Sequence, residues 1–389
     1  MKKIFSVFFA LICIVSALTG ILGIGAVSAA QAGGLAFKSR SAYLMDYNSG
    51  TLIYANNENE ELPIASMNKV MTLLLCFEAL DEGAFSLDDS ITVSAEASGM
   101  GGSQVFLEAN HSYQIGNLIK SIVVASANDA CVAIAEHIAG SEELFVERMN
   151  ERAKELGMTH TVFINCTGLP GAGQHSTAKD VAKKFSELLT HKDYYRYSGI
   201  WMDKIEHAEG RYTEISNTNK LIRFYDGCDG GKTGYTSEAG HCLVASAKRG
   251  NMRLVSVVIK APDSKVRFGD VTQMFNYGFA NYMNKTIVDE NTPLEIPVRV
   301  DGGKKDEIQV IPEKSYYLFS EKNKKDALEI DFCPLEKVKA PIEKGELVGY
   351  LKIYRDQIEI GEVAVLANES VARSTYFDTI KDIAKDWAI

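Results

Sequence analysis

From Val70 to Leu80 the chain reads VMTLLLCFEAL, apolar nearly all round. That pattern predicts a helix buried at the centre of a domain. Its opening is the oddity, because Ser66, Asn68 and Lys69 stand at the head of this run. An ammonium placed there is costly to desolvate unless it has a partner or a use. Upstream, SAYLMDYNSGTLIYANN (41–57) alternates about Asn48-Ser49-Gly50 and predicts a β-hairpin. Residues 81–111 read as loops, with a glycine-heavy turn at 98–104. Ile115, Leu118, Ile119, Ile122 and Val123 then share one helical face. A second helix follows Ser126-Ala127-Asn128 and stops at Gly140, and segments 141–158 and 177–191 read as further amphipathic helices.

The texture then changes. Residues 230–261 carry two apolar runs around the turn Lys248-Arg249-Gly250-Asn251, and 266–285 reads as a closing helix. Strands, many helices, strands and a helix predict an α+β domain. Its antiparallel sheet would be assembled from both ends of the segment, with a helical insertion between them. From about residue 286 the chain turns to short alternating strands with glycine turns and scattered prolines, which predicts a small β domain. The last stretch is helical in period, with Tyr376, Phe377, Ile380, Ile383, Ala384 and Trp387 on one face.

The formal net charge of −10 over 389 residues argues against a nucleic-acid binder. The chain has no glycine-rich phosphate loop, and its seven histidines form no metal-ligand spacing, so neither a metal nor a cofactor is expected. Lys2 and Lys3, an apolar stretch from Ile4 to Ile24 and the small residues AVSAAQAGG have the order of a secretory signal. Cleavage after Ala29 or Ala32 fits, and an uncleaved anchor is the alternative. Either way the rest of the chain would be exported. The cysteines are scattered without a C-x-x-C pair and read as buried thiols, with a Cys228–Cys242 bridge left open.

Three short motifs carry the candidate chemistry. Ser66 and Lys69 are three residues apart, so on a helix their end groups can meet. A serine hydroxyl needs a base, and a lysine among apolar groups can supply one by giving up its charged form. Ser126 and Asn128 stand at a corner between two helices, where a hydroxyl and an amide could face a cleft. Lys232-Thr233-Gly234 lies on a strand, where a glycine lets another backbone come close. There Lys232 and Thr233 could meet a carboxylate, and the N–H of Tyr235 could pair with that of Ser66 around an oxyanion. Taken singly, the plain readings are a helix cap, a second cap and an ordinary strand.

Together, S-x-x-K, S-x-N and K-T-G in this order form the set of penicillin-binding proteins and serine β-lactamases. The chain resembles the D-alanyl-D-alanine carboxypeptidases, the low-molecular-mass penicillin-binding serine peptidases. PIASMNKVMT, GMGGSQVFLEAN, VASANDACVAIAE, GLPGAGQHSTAKDVA and DGGKTGYTSEAGHCLVASA carry the likeness, and KGELVGYLKIY extends it into the β region. The resemblance implies the penicillin-binding/β-lactamase-like transpeptidase fold, with a catalytic domain over 33–285 after a signal at 1–32. A β-rich domain over 286–370 and an amphipathic helix over 371–389 would follow, the helix resting on the outer face of the cytoplasmic membrane. It implies Ser66 as the acylated nucleophile, Lys69 as its proton acceptor, and Ser126 and Asn128 as the second catalytic element. Lys232, Thr233, Gly234, Tyr235, Thr236 and Arg267 would contact substrate, Arg267 at its terminal carboxylate. The implied substrates are peptidoglycan stem peptides, with β-lactams as covalent inhibitors. A β-lactamase and a non-catalytic penicillin sensor or wall-binding protein are the alternatives. The chain lacks the E-x-x-L-N segment with which class A β-lactamases activate water.

Overall fold

The computed structural model describes residues 37–376 and 378. The expected signal segment and most of the expected terminal helix, Phe377 and 379–389, lie outside the described residues. Among those described, no helix is long and apolar enough to cross a membrane.

The alternating segment near the start forms β1 (Ser41–Asp46) and β2 (Leu52–Asn56). β1 is not half-exposed as its alternation suggests, for all six of its residues are buried. It lies inside a five-stranded antiparallel sheet with β3 (Cys228–Thr236), β4 (Gly240–Arg249) and β5 (Met252–Ala261), in the order β2-β1-β5-β4-β3. Two ends of the segment thus meet in one sheet, as the element order predicts. Ala42 and Leu44 face one apolar cluster, while Tyr43 and Met45 face another, so the two-residue period serves two cores.

The larger cluster lies under the helical insertion: α1 (Lys69–Asp81), α2 (Asn128–Ala139), α3 (Glu142–Glu155) and α4 (Ala178–Leu188). The smaller is covered by α5 (Ser264–Asn281), through Val271, Met274, Phe275 and Phe279. Local chemistry sets the helix ends. The side chains of Ser141, Thr177 and Asp263 accept N–H groups of the first turns of α3, α4 and α5. Gly140, at φ +88°, closes α2. α5 ends before the expected residue 285, because Tyr282 stacks on Phe319 and enters β6 (Tyr282–Val288). β6 pairs with Tyr316–Glu321, and five further strands around Val310, Val348, Ile353, Val363 and Val365 form a third core.

All six cysteines among the described residues are free thiols. The open Cys228–Cys242 bridge is not formed. Cys228 pairs with Ala247 and Cys242 with Gly234, on different rungs of the β3–β4 ladder.

Candidate active site

Ser66 does not sit in the α-helix itself. It lies in a 3-10 turn, Ala65–Asn68, and Lys69 is the first residue of α1. Ala65 precedes it at φ +47°, a left-handed conformation that costs a non-glycine residue roughly 1–3 kcal/mol. The turn is pinned from two sides. A Cβ on Gly234 would come 2.6 Å from the Ile64 carbonyl, and one on Gly168 only 2.1 Å from the Ala65 carbonyl. The glycine of K-T-G is therefore required by the chain's own Ile64–Ser66 backbone, which approaches it closely.

The Lys69 Nζ lies 3.0 Å from Ser66 Oγ and donates to the Thr167 carbonyl at 2.6 Å. Its side chain is wholly buried, and that burial lowers its pKa, with Cys131, Cys166 and Asp129 pulling the other way. Opposite stands Lys232 of β3, also buried, whose Nζ donates to Ser126 Oγ at 2.7 Å and to its neighbour's carbonyl at 3.2 Å. Burial, then the charges of Lys69 and Arg267, hold Lys232 well below the ordinary lysine range. Neither lysine forms a carboxylate ion pair among the described residues.

Ser126 reaches Lys232 through an irregular corner. The helix predicted by the face Ile115, Leu118, Ile119, Ile122 and Val123 is α-helical only as far as Lys120 and widens into a π-turn over Ser121–Ala125. Ser126 then takes φ +64°. Asn128 opens α2, its N–H bound to the Ser103 carbonyl and its Nδ2 to the Gly101 carbonyl, both at 2.7 Å. The neighbouring Asp129 accepts N–H groups of Val105 and Leu107, which fastens the glycine-rich loop against this corner.

On β3, the edge strand of the sheet, Thr233 is buried and Tyr235 exposed. The Tyr235 ring packs on His241 of β4 with centroids 4.4 Å apart. Thr236 is turned into the β3–β4 connection, where its Oγ1 accepts the Ala239 N–H. Arg267 is buried, and its Nη1 donates to the carbonyls of Gly234 and Cys242, each at 3.2 Å. Burial lowers its pKa to about 10. The structure thus joins Ser66 with Lys69, Lys232 with Ser126, and Arg267 with the K-T-G backbone.

Sequence reasoning gave no role at the site to the loop 161–176, whose Thr167 carbonyl meets Lys69, although GLPGAGQHSTAKDVA was among the stretches that carry the family likeness. A backbone carbonyl leaves no residue-type signature, and Gly168 (φ +81°) was the one legible hint. Chemically, the site offers a hydroxyl against a buried amine, a second amine–hydroxyl pair, and a strand edge open to an extended ligand.

The D-alanyl-D-alanine carboxypeptidase family model matches residues 26–263, and the penicillin-binding protein 5 C-terminal domain model matches 282–373. The chain is 38% identical to D-alanyl-D-alanine carboxypeptidase DacF of Bacillus subtilis, over 91% of each chain. It is 32% identical to DacC of Escherichia coli, over 88% of this chain and 87% of the relative. Among solved structures, penicillin-binding protein 5 of Haemophilus influenzae superposes with a TM-score of 0.67 at 29% identity, covering 87% of this chain and 99% of that one.

Proposed function

The chain belongs to the D-alanyl-D-alanine carboxypeptidase family of serine hydrolases, and from that premise we propose that Ser66 is the residue its substrate acylates. The reaction is removal of the terminal D-alanine from peptidoglycan stem pentapeptides through an acyl-enzyme, which β-lactams also form. One observation supports the assignment above the others: a buried lysine with no carboxylate ion pair among the described residues sits 3.0 Å from a serine hydroxyl.

Lys69, its charge disfavoured by burial, takes the Ser66 proton as Oγ attacks the carbonyl of the penultimate D-alanine. The backbone N–H groups of Ser66 and Tyr235 receive the oxyanion. Ser126, bonded to Lys232, passes a proton to the leaving amine as the tetrahedral intermediate collapses and D-alanine departs. Lys69 returns the proton it took to Ser126 and is neutral again, and water then attacks the ester as Lys69 accepts its proton and delivers it to Ser66 Oγ. Asn128 holds the peptide's amide carbonyl, and the backbone of Tyr235 and Thr236 continues the strand-like contact begun at Gly234. Lys232, Thr233 and Arg267 hold the terminal carboxylate, through the Arg267 guanidinium and the N–H and O–H donors of the other two.

The catalytic unit in this reading spans 33–285 after a cleaved signal at 1–32, with an accessory β unit over 286–370. A membrane-resting helix over 371–389 places the enzyme on the outer face of the cytoplasmic membrane. The β-lactamase alternative is disfavoured by the loop against Lys69, which presents the Thr167 carbonyl where rapid deacylation would call for a carboxylate.

Intact-mass analysis after penicillin, alongside D-alanine release from a peptide ending in D-Ala-D-Ala, tests the proposal. One adduct on Ser66 with D-alanine release is expected. Ser66→Ala should lose both, and normal labelling of that variant at another residue would refute the assignment. An adduct without D-alanine release would favour a penicillin sensor.

A further inference from the structure

Between the serine and the lysine of the first motif stands Asn68, which the mechanism leaves unused. Its side chain is buried and donates through Nδ2 to Gln174 Oε1 at 2.7 Å. Gln174 lies at the far end of the loop that carries Thr167. Its Oε1 also accepts the Ile164 N–H at 3.2 Å, and its Nε2 donates to the Leu169 carbonyl at 2.9 Å. Asn165 completes the tip from inside, donating to the same Leu169 carbonyl and accepting the Gly168 N–H at 2.6 Å. The turn Thr167–Leu169 is thereby tied to the nucleophile turn by side chains that touch no reacting atom.

We propose that Asn68 and Gln174 are positioning residues, a strap that holds the Thr167 carbonyl against Lys69 and so aims the amine at Ser66. The inference rests on the base role of Lys69. A neutral amine has two N–H bonds and one lone pair. With one N–H fixed on the Thr167 carbonyl, the amine's remaining rotation is restricted and the lone pair can settle on the Ser66 hydroxyl. Released from that carbonyl, the amine turns freely and presents N–H as readily as lone pair.

The strap also has an electrostatic consequence. A carbonyl binds an ammonium more strongly than an amine, so the Thr167 oxygen partly offsets the desolvation of protonated Lys69. Around that amine stand Lys232 from β3, Asp129 and Cys131 from α2, and Cys166 from the loop. Lys232, Asp129 and Cys131 stay when the strap is cut, while Cys166 moves with the loop, and because it raises the Lys69 pKa its departure acts in the same direction as loss of the carbonyl. Loosening the loop should therefore lower the Lys69 pKa further and slow acylation at once.

The test is the rate of penicillin acylation against pH for the full-length enzyme and for Asn68→Ala, Gln174→Ala and the double variant. The acid limb should move to lower pH by about one unit, the worth of one charged hydrogen bond, with a plateau rate about tenfold lower. The double variant should match the singles, because either substitution cuts the same strap. A plain packing defect would reduce the fraction that labels without moving the limb. If Asn68→Ala does not fold, Gln174→Ala and Gln174→Leu, at a half-buried loop position, carry the test by the same limb. An unmoved limb, or shifts that add in the double variant, overturns the strap. Wild-type enzyme that takes no penicillin on Ser66 would instead overturn the nucleophile assignment.

Discussion

Lys69 and Lys232 are both buried amines with pKa values pushed down, yet they stand against different hydroxyls. The closer amine to Ser66 is Lys69, so its substitution should be the more severe for acylation. Lys69→Arg keeps the charge but cannot readily lose a proton at neutral pH. Acylation by penicillin should fall by about 10²- to 10⁴-fold, the usual worth of a general base, while the protein stays folded by circular dichroism. Near-normal acylation by that variant would refute the base role. Lys232 and Arg267 face a different question. If they bind the terminal carboxylate, replacing either by alanine should slow cleavage of a free peptide acid by about 10- to 100-fold more than that of its C-terminal amide, with Lys232→Ala slowing both because Ser126 loses its partner. The comparison matters most for Arg267, because its Nη1 already serves two carbonyls of the sheet. An equal loss on acid and amide would leave Arg267 a purely structural pin on β3. At this scale the sequence singled out Ser66, Lys69, Ser126 and Lys232, which the structure brings together in two amine–hydroxyl pairs. It was silent where the contributing group is a backbone carbonyl, as at Thr167, or where a residue's use depends on a distant loop, as for Asn68.

Loop 161–176 and helix α4 show how elements hold that geometry. Gly168 tolerates no side chain, since its φ is +81° and a Cβ would strike the Ala65 carbonyl. Gly168→Ala should therefore displace the Ser66 turn, and penicillin acylation, followed by mass spectrometry, should drop far more than the melting temperature suggests. Unchanged acylation would mean that the loop and turn can separate without cost. Lys184 of α4 is a contrasting case, wholly buried, with no hydrogen-bond partner for its Nζ among the described residues and the Phe163 ring 5.0 Å away. Burial lowers its pKa from 10.5 to about 7, with Asp180 opposing. The unfolded chain then binds the extra proton between those two values, so this residue makes stability rise with pH from about 7 to 10.5. Lys184→Met should stabilise the protein by a few kcal/mol at pH 7 and below, with the advantage fading toward pH 10 in urea titrations. A constant difference across that range would remove the titration account. Most of these elements were legible from periodicity and caps, including α2 to its last residue before Gly140. The exceptions have physical causes: β1 is covered on both faces, the π-turn before Ser126 obeys no sequence period, and Tyr282 is drawn into a strand by Phe319.

Over the whole molecule, the chain leaves the third core at a well-tied point. Ile342 and Val371 form a bridge, Arg373 bridges Gly303, and the Ser374 N–H reaches the Gly302 carbonyl. Thr375 and Asp378 then exchange the bonds of a helix start, with Thr375 Oγ1 donating to the Asp378 carboxylate at 2.7 Å. Beyond it the sequence places Phe377, Ile380, Ile383, Ala384 and Trp387 on the face that Tyr376 opens, opposite Lys381, Asp382, Lys385 and Asp386. With Asp378 also among these charges, three acids stand against two lysines, so attraction to anionic lipid is weak and binding to a membrane surface must come from the apolar face and its terminal Trp387. Deleting residues 375–389 leaves every tie up to Ser374 in place, so the truncated enzyme should fold and release D-alanine at the wild-type rate. Processed protein should pass from the membrane fraction to the soluble one. The alternative is that this face packs on the β region, and then truncation would expose Val371 and its neighbours, lowering the melting temperature without changing fractionation. The two outcomes separate cleanly, because a lipid-facing helix contributes nothing to the stability of the soluble enzyme.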